Sequence, residues 1–317
     1  MPPAEPTPAL LTNPWRLYFL ALRPQFLTVT LTGAMIGLAS SVASGVSLDP
    51  VRASVSVCFA LVAHGGVNVL NDYYDELNGT DRINTDRVFP FTGGSRFIQN
   101  GLLTPRETLL FGTVLMALVV VAGLCLMMVS NPTLVWIGAP GIVIGWAYSA
   151  PPLGLNSRGL GELCVAAGFS LIVIGIDFVQ RGAFSALPLV AAIPYALLVT
   201  AILYVNQFPD YQADKAAGKG HWVVRLGPAR ASWGYAAITG TAYSFLILQV
   251  MLGNLPARCL IALATVPVSA AAGRALLRNA GQPKELVGAI KSTIVAANLN
   301  GLLIAGALAL PQFLGWN

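Results

Sequence analysis

The sequence predicts an all-α membrane protein: nine transmembrane helices surrounding a central cavity, with loops capping the cytoplasmic end. Three observations carry this expectation. Hydrophobic residues make up 56% of the 317-residue chain and charged residues only 10%, where a soluble domain carries about 25% charged residues; mean hydropathy is +0.70. Nine segments each offer the roughly 20 mostly apolar residues that a spanning helix needs. Finally, nine crossings place 15 of the 18 Lys and Arg residues on one face. Positive charge of that asymmetry marks the cytoplasmic side.

The elements follow in order. Met1 to Pro14 is Pro-rich and lacks a basic stretch followed by an apolar core, so it reads as a disordered tail and not a signal peptide. Residues 15–317 form one nine-helix domain. Spans are expected near 25–44, 52–71, 108–129, 132–149, 160–180, 186–208, 231–252, 257–273 and 287–310. Pro and Gly interrupt the fourth, and small residues dominate the eighth. Arg52, Arg181 and Arg258 are the only cations on the sparse face. Cys58, Cys125, Cys164 and Cys259 stand singly in apolar runs, which indicates neither a disulfide framework nor a zinc site. His64 and His221 also stand alone.

Two polar clusters break this apolar chain. Asn71-Asp72-Tyr73-Tyr74-Asp75 runs on to Asp81, and Asn206-Gln207-Phe208-Pro209-Asp210 runs on to Asp214. Each ends a long apolar segment, each contains Asn-x-x-x-Asp, and both fall on the cation-rich face. Seven of the 13 acidic residues lie in or beside them. Spans two and six are four helices apart, which hints at an internal repeat of spans 1–4 and 5–8. If the second cluster continues as helix, Asn206, Asp210 and Asp214 share one face. Asn71 and Asp75 do the same, and Gly79 permits a turn that returns Asp81 towards them.

Carboxylates packed this closely repel one another unless a cation sits among them. Hard oxygen ligands without a His/Cys set suit Mg²⁺, which takes few carboxylates and fills its shell with water and phosphate oxygens. The plain alternative is a solvated loop of surface ion pairs with Arg82, Arg87, Lys215 and Lys219, since such pairs are common and weak. Two matched clusters on one face argue against it. The same loops carry Arg87, Gly93-Gly94-Ser95-Arg96, Lys215 and Lys219, donors suited to phosphate. For any one of these cations, positive-inside bias is the simpler account; Arg23, Arg106 and Arg230 read as membrane-end anchors. Together the features point to a lipid diphosphate, its leaving group stabilised by metal and cations and its tail in an apolar cavity. No nucleic-acid partner is expected.

The stretches Asn71–Asp81 and Asp210–Lys219 resemble the two aspartate-rich motifs of the UbiA superfamily of membrane aromatic prenyltransferases, from about Trp15 to Leu310. The six-residue step from Asp75 to Asp81 is similar to the dihydroxynaphthoate (menaquinone) branch. Tyr148-Ser149-Ala150-Pro151-Pro152-Leu153 with Arg158-Gly159-Leu160-Gly161-Glu162 resembles that branch too, as does Ala217-Gly218-Lys219 leading into Val223-Val224-Arg225-Leu226-Gly227. The resemblance implies that Asn71, Asp75, Asp81, Asn206, Asp210 and Asp214 hold Mg²⁺ against a polyprenyl diphosphate. It implies Arg87, Arg96, Arg158, Lys215 and Lys219 as diphosphate partners, and Asp75, Asp210 and Tyr148 as catalytic. Tyr148 would face the carbocation or the diphosphate, unless it is an interfacial anchor. Glu162 reads as a structural partner of Arg158, and Asp177 as part of a non-cytoplasmic loop.

One stretch departs from the branch. Phe89–Gln99 stands where a shorter turn is expected, so the aromatic acceptor is open at this point: 1,4-dihydroxy-2-naphthoate first, then homogentisate, 4-hydroxybenzoate, a porphyrin or a lipid alcohol. The implied setting is a bacterial inner or plasma membrane, with lipid around the helices and the site on the cytoplasmic face. A cation-coupled transporter is the reading from a different class, but it would put its carboxylates near the bilayer midplane and not at segment ends.

Overall fold

The computed structural model describes residues 4–314, with side-chain environments to Leu310. All regular structure among the described residues is helical. In chain order the α-helices are α1 (Pro14–Ala21), α2 (Pro24–Ala43), α3 (Pro50–Leu77), α4 (Thr80–Ile83), α5 (Pro105–Val129), α6 (Val135–Ser149), α7 (Gly161–Arg181), α8 (Ala186–Asn206), α9 (Tyr211–Ala216), α10 (Trp222–Leu226), α11 (Pro228–Met251), α12 (Val266–Asn279) and α13 (Val287–Leu314). Among the described residues, eight helical segments are long and apolar enough to cross a membrane.

The fourth expected span falls short of that length. Its α-helix is 15 residues long, about 22 Å at 1.5 Å per residue. Asn131-Pro132 opens it as a 3-10 turn, Pro140 lies inside it, and Ala150-Pro151 ends it. The eighth expected span runs longer than foreseen. It starts as a 3-10 helix, Ala257–Thr265, and becomes α-helical from Val266 to Asn279. Its buried residues Cys259, Ala262 and Thr265 recur every third position, as a helix of three residues per turn requires. The Ala262 carbonyl accepts from the Thr265 hydroxyl at 2.8 Å and from Asn300 of α13 at 3.2 Å, which ties α13 to this segment.

The centre is α8, packed on α2, α7, α11 and α13. Ala191, Ala192, Ala196 and Ala201 are at most 1% exposed, and such small side chains let neighbouring helices approach closely within lipid. Helices α3, α5 and α6 stand to one side of this core, with α5 packed mainly on α3 and scarcely on α6. At one end α4 packs on α9, and α9 on α10, so the loops after α3 and α8 meet.

Over its described part the N-terminal segment contains a 3-10 turn, Pro8–Thr12. The Glu5 carboxylate accepts from Arg87 at 2.7 Å and lies 3.9 Å from Arg96, so charge ties the tail to the loop before α5. Asp177 belongs to α7 and not to a loop. It is 1% exposed, paired with Arg181 at 2.8 Å and bonded by Ser41 at 2.9 Å.

Candidate active site

Helix α3 continues past the expected end of its span, so Asn71, Asp72 and Asp75 all lie on its last turns. Asn78 closes the helix, and Gly79 adopts φ 80°, a left-handed turn that glycine enters without a Cβ clash. The chain then reverses into α4, which carries Asp81 back over the end of α3. Asn71 donates to Asp75 at 3.2 Å and to Ser149 at 3.0 Å.

The second cluster is not one continuous helix. Helix α8 stops at Asn206, residues 207–210 form a turn containing Pro209, and Asp210 precedes α9. Proline removes a helical donor and restricts the residue before it, so Asn206 and Asp210 do not share the helical face expected of them. Asp210 and Asp214 do stand one turn apart, joined by an Asp214 N–H to Asp210 carbonyl bond of 2.9 Å.

The two clusters are joined by groups from both. Lys219 lies 2.9 Å from Asp75 and 3.1 Å from Asp214. Asn84, just after α4, donates to Asp210 at 2.6 Å. His221 bonds the second Asp214 oxygen through Nε2 at 3.0 Å. The departing stretch 89–99 folds over them: the Gly93 N–H reaches Asp210 at 3.4 Å and the Ser95 N–H reaches Asp72 at 3.2 Å. Gly94 has φ 72°, and a Cβ there would overlap the Asp81 carboxylate. The Gly pair thus lets backbone close onto carboxylates, where the sequence suggested closure onto an anion.

Electrostatics follow from this crowding. Burial, then the Asp75 and Asp72 charges, hold the Asp81 carboxyl well above the usual range. Burial and Asp214 push Asp210 up to about 6. Asp214 is held low despite its burial, by the Lys219 charge and the His221 bond. Asp75 and Asp214 in turn raise Lys219 against the cost of burying it.

Beneath the carboxylates lies a cavity of about 760 Å³, lined by α3, α5, α6, α7 and α8. Asn71, Asp75, Asp81, Tyr148, Asn206, Asp210, Asp214 and Lys219 all line it. Below them the wall is apolar, with Phe59, Val67, Met116, Ile144 and Phe169. Val120 and Leu124 of α5 and Val143 of α6 line the cavity and are 42%, 55% and 57% exposed. The cavity therefore opens sideways between α5 and α6, at the level where lipid would lie.

Four expected diphosphate partners are not brought to this wall. Arg87 is turned to Glu5 and the Asn84 carbonyl. Arg96 is buried and donates to the Asp81 backbone carbonyl. Arg158 is exposed and donates to the Pro152 carbonyl at 2.6 Å. Lys215 is exposed, over the Tyr211 ring. Glu162 pairs with Gln207 at 2.9 Å in place of Arg158. The cation that sequence reading missed is Arg23. It lines the cavity, lies 3.8 Å from Asp72 and adopts φ 60°. A non-glycine residue in that region costs about 1–3 kcal/mol; here it turns the chain between α1 and α2, and the side chain donates to the Phe91 carbonyl at 3.3 Å. The sequence signal was Arg before Pro24 at a helix start. His64 was set aside too, and it lines the cavity with Nδ1 2.7 Å from Thr30 Oγ1.

The carboxylates suit a hydrated divalent cation. Among the described residues no three or more acidic, His or Cys side chains are grouped so as to hold a metal ion by themselves. Mg²⁺ needs no such group, because water and phosphate complete its shell. Asp81 Oδ2 and Asn206 Oδ1 are buried without partners, and a primary ammonium already sits between Asp75 and Asp214. The donor set fits a hard cation.

The profile of the UbiA prenyltransferase family matches residues 29–294. The chain belongs to this family. It is 32% identical over 260 residues to 1,4-dihydroxy-2-naphthoate octaprenyltransferase of Mycobacterium tuberculosis, covering 82% of this chain and 85% of that one. It is 29% identical over 259 residues to UbiA prenyltransferase domain-containing protein 1 of Homo sapiens, covering 80% and 72%. The fold resembles a UbiA homolog from Archaeoglobus fulgidus solved with DMAPP and Mg²⁺, with TM-score 0.68, 17% identity and coverage of 92% and 99%. The chain is thus an integral membrane prenyltransferase, and the transporter reading falls away.

Proposed function

We propose that this enzyme transfers a polyprenyl group from a polyprenyl diphosphate to an aromatic acceptor, 1,4-dihydroxy-2-naphthoate, in menaquinone synthesis. The observation that carries the reading is the joining of both aspartate clusters, through Lys219 and Asn84, over an apolar cavity open to lipid. The names of the Mycobacterium tuberculosis and Mycobacterium leprae relatives support this acceptor.

Asn71, Asp75, Asp81, Asn206, Asp210 and Asp214 would hold Mg²⁺, of which Asp75 and Asp210 matter most. When bound, the metal would neutralise the charge growing on the leaving diphosphate. Lys219 and Arg23 add fixed positive charge at the cavity mouth, while Arg87, Arg96, Arg158 and Lys215 hold the loops. Tyr148 lines the cavity, where it would face the allylic carbocation or the diphosphate. The dry wall excludes water, so the electron-rich ring is the nucleophile within reach. A carbon–carbon bond forms, the carbon–oxygen bond to diphosphate breaks, and the ring loses a proton or, from a carboxylated carbon, CO₂.

We place the site on the cytoplasmic face of a bacterial inner or plasma membrane, following the 15 to 3 split of cations. That split needs nine crossings, with the short α6 as the fourth. On that count α3 and α8 are the second spans of two corresponding units, spans 1–4 and 5–8, of an internal repeat within one domain.

The test offers purified protein radiolabelled polyprenyl diphosphate with a panel of aromatic acceptors, with and without Mg²⁺. Product from dihydroxynaphthoate that vanishes on chelation is expected. Metal-independent product removes Mg²⁺ from the reading, and preference for another ring replaces the acceptor.

A further inference from the structure

On α3 the residues His64, Asn68, Asn71 and Asp75 recur at i, i+4, i+7 and i+11, and all four line the cavity. That spacing is one continuous helical face. A polar stripe therefore descends from the aspartate cluster into an otherwise apolar chamber. Its lower end, His64, lies seven residues from Asn71, about 10 Å along the helix.

A hydrocarbon tail gains nothing from an imidazole or an amide. Polar and ionisable side chains inside a membrane helix are costly and mark function when they face a cavity. Asn68 has a structural task for one half of its amide, donating to the Leu22 carbonyl at 3.0 Å. His64 has no comparable task. Nδ1 meets Thr30 Oγ1 at 2.7 Å, and Thr30 is fully buried. The ring stands edge-on to Phe169, with centroids 5.5 Å apart and planes at 88°. These two contacts fix the ring plane, and among the described residues no hydrogen bond is recorded for Nε2. An oriented, unspent hydrogen-bonding group beside an aromatic wall suits a flat ring bearing a hydroxyl.

We propose that His64, held in orientation by Thr30, hydrogen-bonds a ring hydroxyl of the aromatic acceptor and so determines acceptor specificity. The inference rests on the proposed transfer to an aromatic ring. The acceptor lies along the stripe between Phe169 and α3, with its reacting carbon towards Asn71 and Asp75 and its far hydroxyl at His64. The chemistry of the site selects hydroxylated aromatic rings over plain hydrocarbons. A buried polar site discriminates sharply against an analogue lacking its partner group, because its own polar atom is then left unpaired.

Steady-state kinetics with Mg²⁺ and polyprenyl diphosphate test this, using 1,4-dihydroxy-2-naphthoate and an analogue in which one hydroxyl is methylated. For His64→Ala the acceptor KM rises about tenfold or more, while the KM for the diphosphate stays within about twofold of wild type. The same variant loses the preference for the free hydroxyl that the wild type shows. His64→Gln, which keeps a hydrogen-bonding group, recovers much of both. Thr30→Val leaves His64 in place and gives an intermediate rise, so a poorly folding alanine variant does not block the test. An unchanged acceptor KM in both His64→Ala and Thr30→Val, a parallel rise in the diphosphate KM, or a hydroxyl preference retained by His64→Ala overturns the inference. If His64 variants behave as wild type while the wild type prenylates the ring, only this inference falls. If the wild type prenylates no aromatic ring, both readings fall.

Discussion

Lys219 stands 2.9 Å from Asp75, although Asp75 belongs to the last turn of α3 and Lys219 to the loop between α9 and α10. The same ammonium reaches Asp214 at 3.1 Å. One buried cation thus ties the two aspartate clusters into a single array before any substrate arrives. Its burial among carboxylates explains why Asp214 is held low while Asp81, further from that charge and nearer other carboxylates, is held high.

Asp75→Ala and Asp210→Ala each lower prenyl transfer by at least about a hundredfold, with the protein still folded in detergent. Product formation from radiolabelled diphosphate checks this, and wild-type turnover in either variant would refute the metal role.

Lys219→Met leaves Asp75 and Asp214 buried without their shared cation. Breaking a buried pair from one side costs about 3–5 kcal/mol, so metal-free thermal stability in detergent falls. Mg²⁺ then raises the melting temperature of the variant more than that of wild type, since a bound cation replaces the lost charge. An equal Mg²⁺ response in both proteins counts against Lys219 as the link between the clusters.

Gly94→Ala puts a methyl group into the Asp81 carboxylate at a backbone angle of φ 72°. The strain is about 1–3 kcal/mol, and it lifts the covering loop away from Asp72 and Asp210. Activity drops by about tenfold or more with little change in overall helix content. A variant with wild-type activity shows that the close approach of this loop is unimportant.

Much of the helical plan was legible because apolar runs of about 20 residues have few other fates. Expected and observed ends agree within a few residues for α2, α7 and α8. The fourth span keeps its expected bounds, but its first three residues, Pro132–Leu134, are a 3-10 turn, which leaves an α-helix of 15 residues. The aspartates were legible as rare carboxylates in apolar sequence, and the turn at Gly79 followed from its freedom to enter positive φ. The continuous helix through Asp210 failed because Pro209 lies inside the proposed run.

The sequence by itself determined the membrane class, the approximate spans, the family and the six Asn and Asp positions that gather at one cavity. These depend on composition and local order, which a linear chain carries in full. Only tertiary structure decided which cations serve the site. Lys219 turned inward to Asp75, while Arg87 and Arg96 met Glu5, and Arg23 left its expected anchoring role for the cavity. His64 likewise became a cavity residue only once Thr30 of α2 and Phe169 of α7 were beside it. A charged or polar side chain acts through what lies opposite it in space, and those partners come from segments far away in the chain.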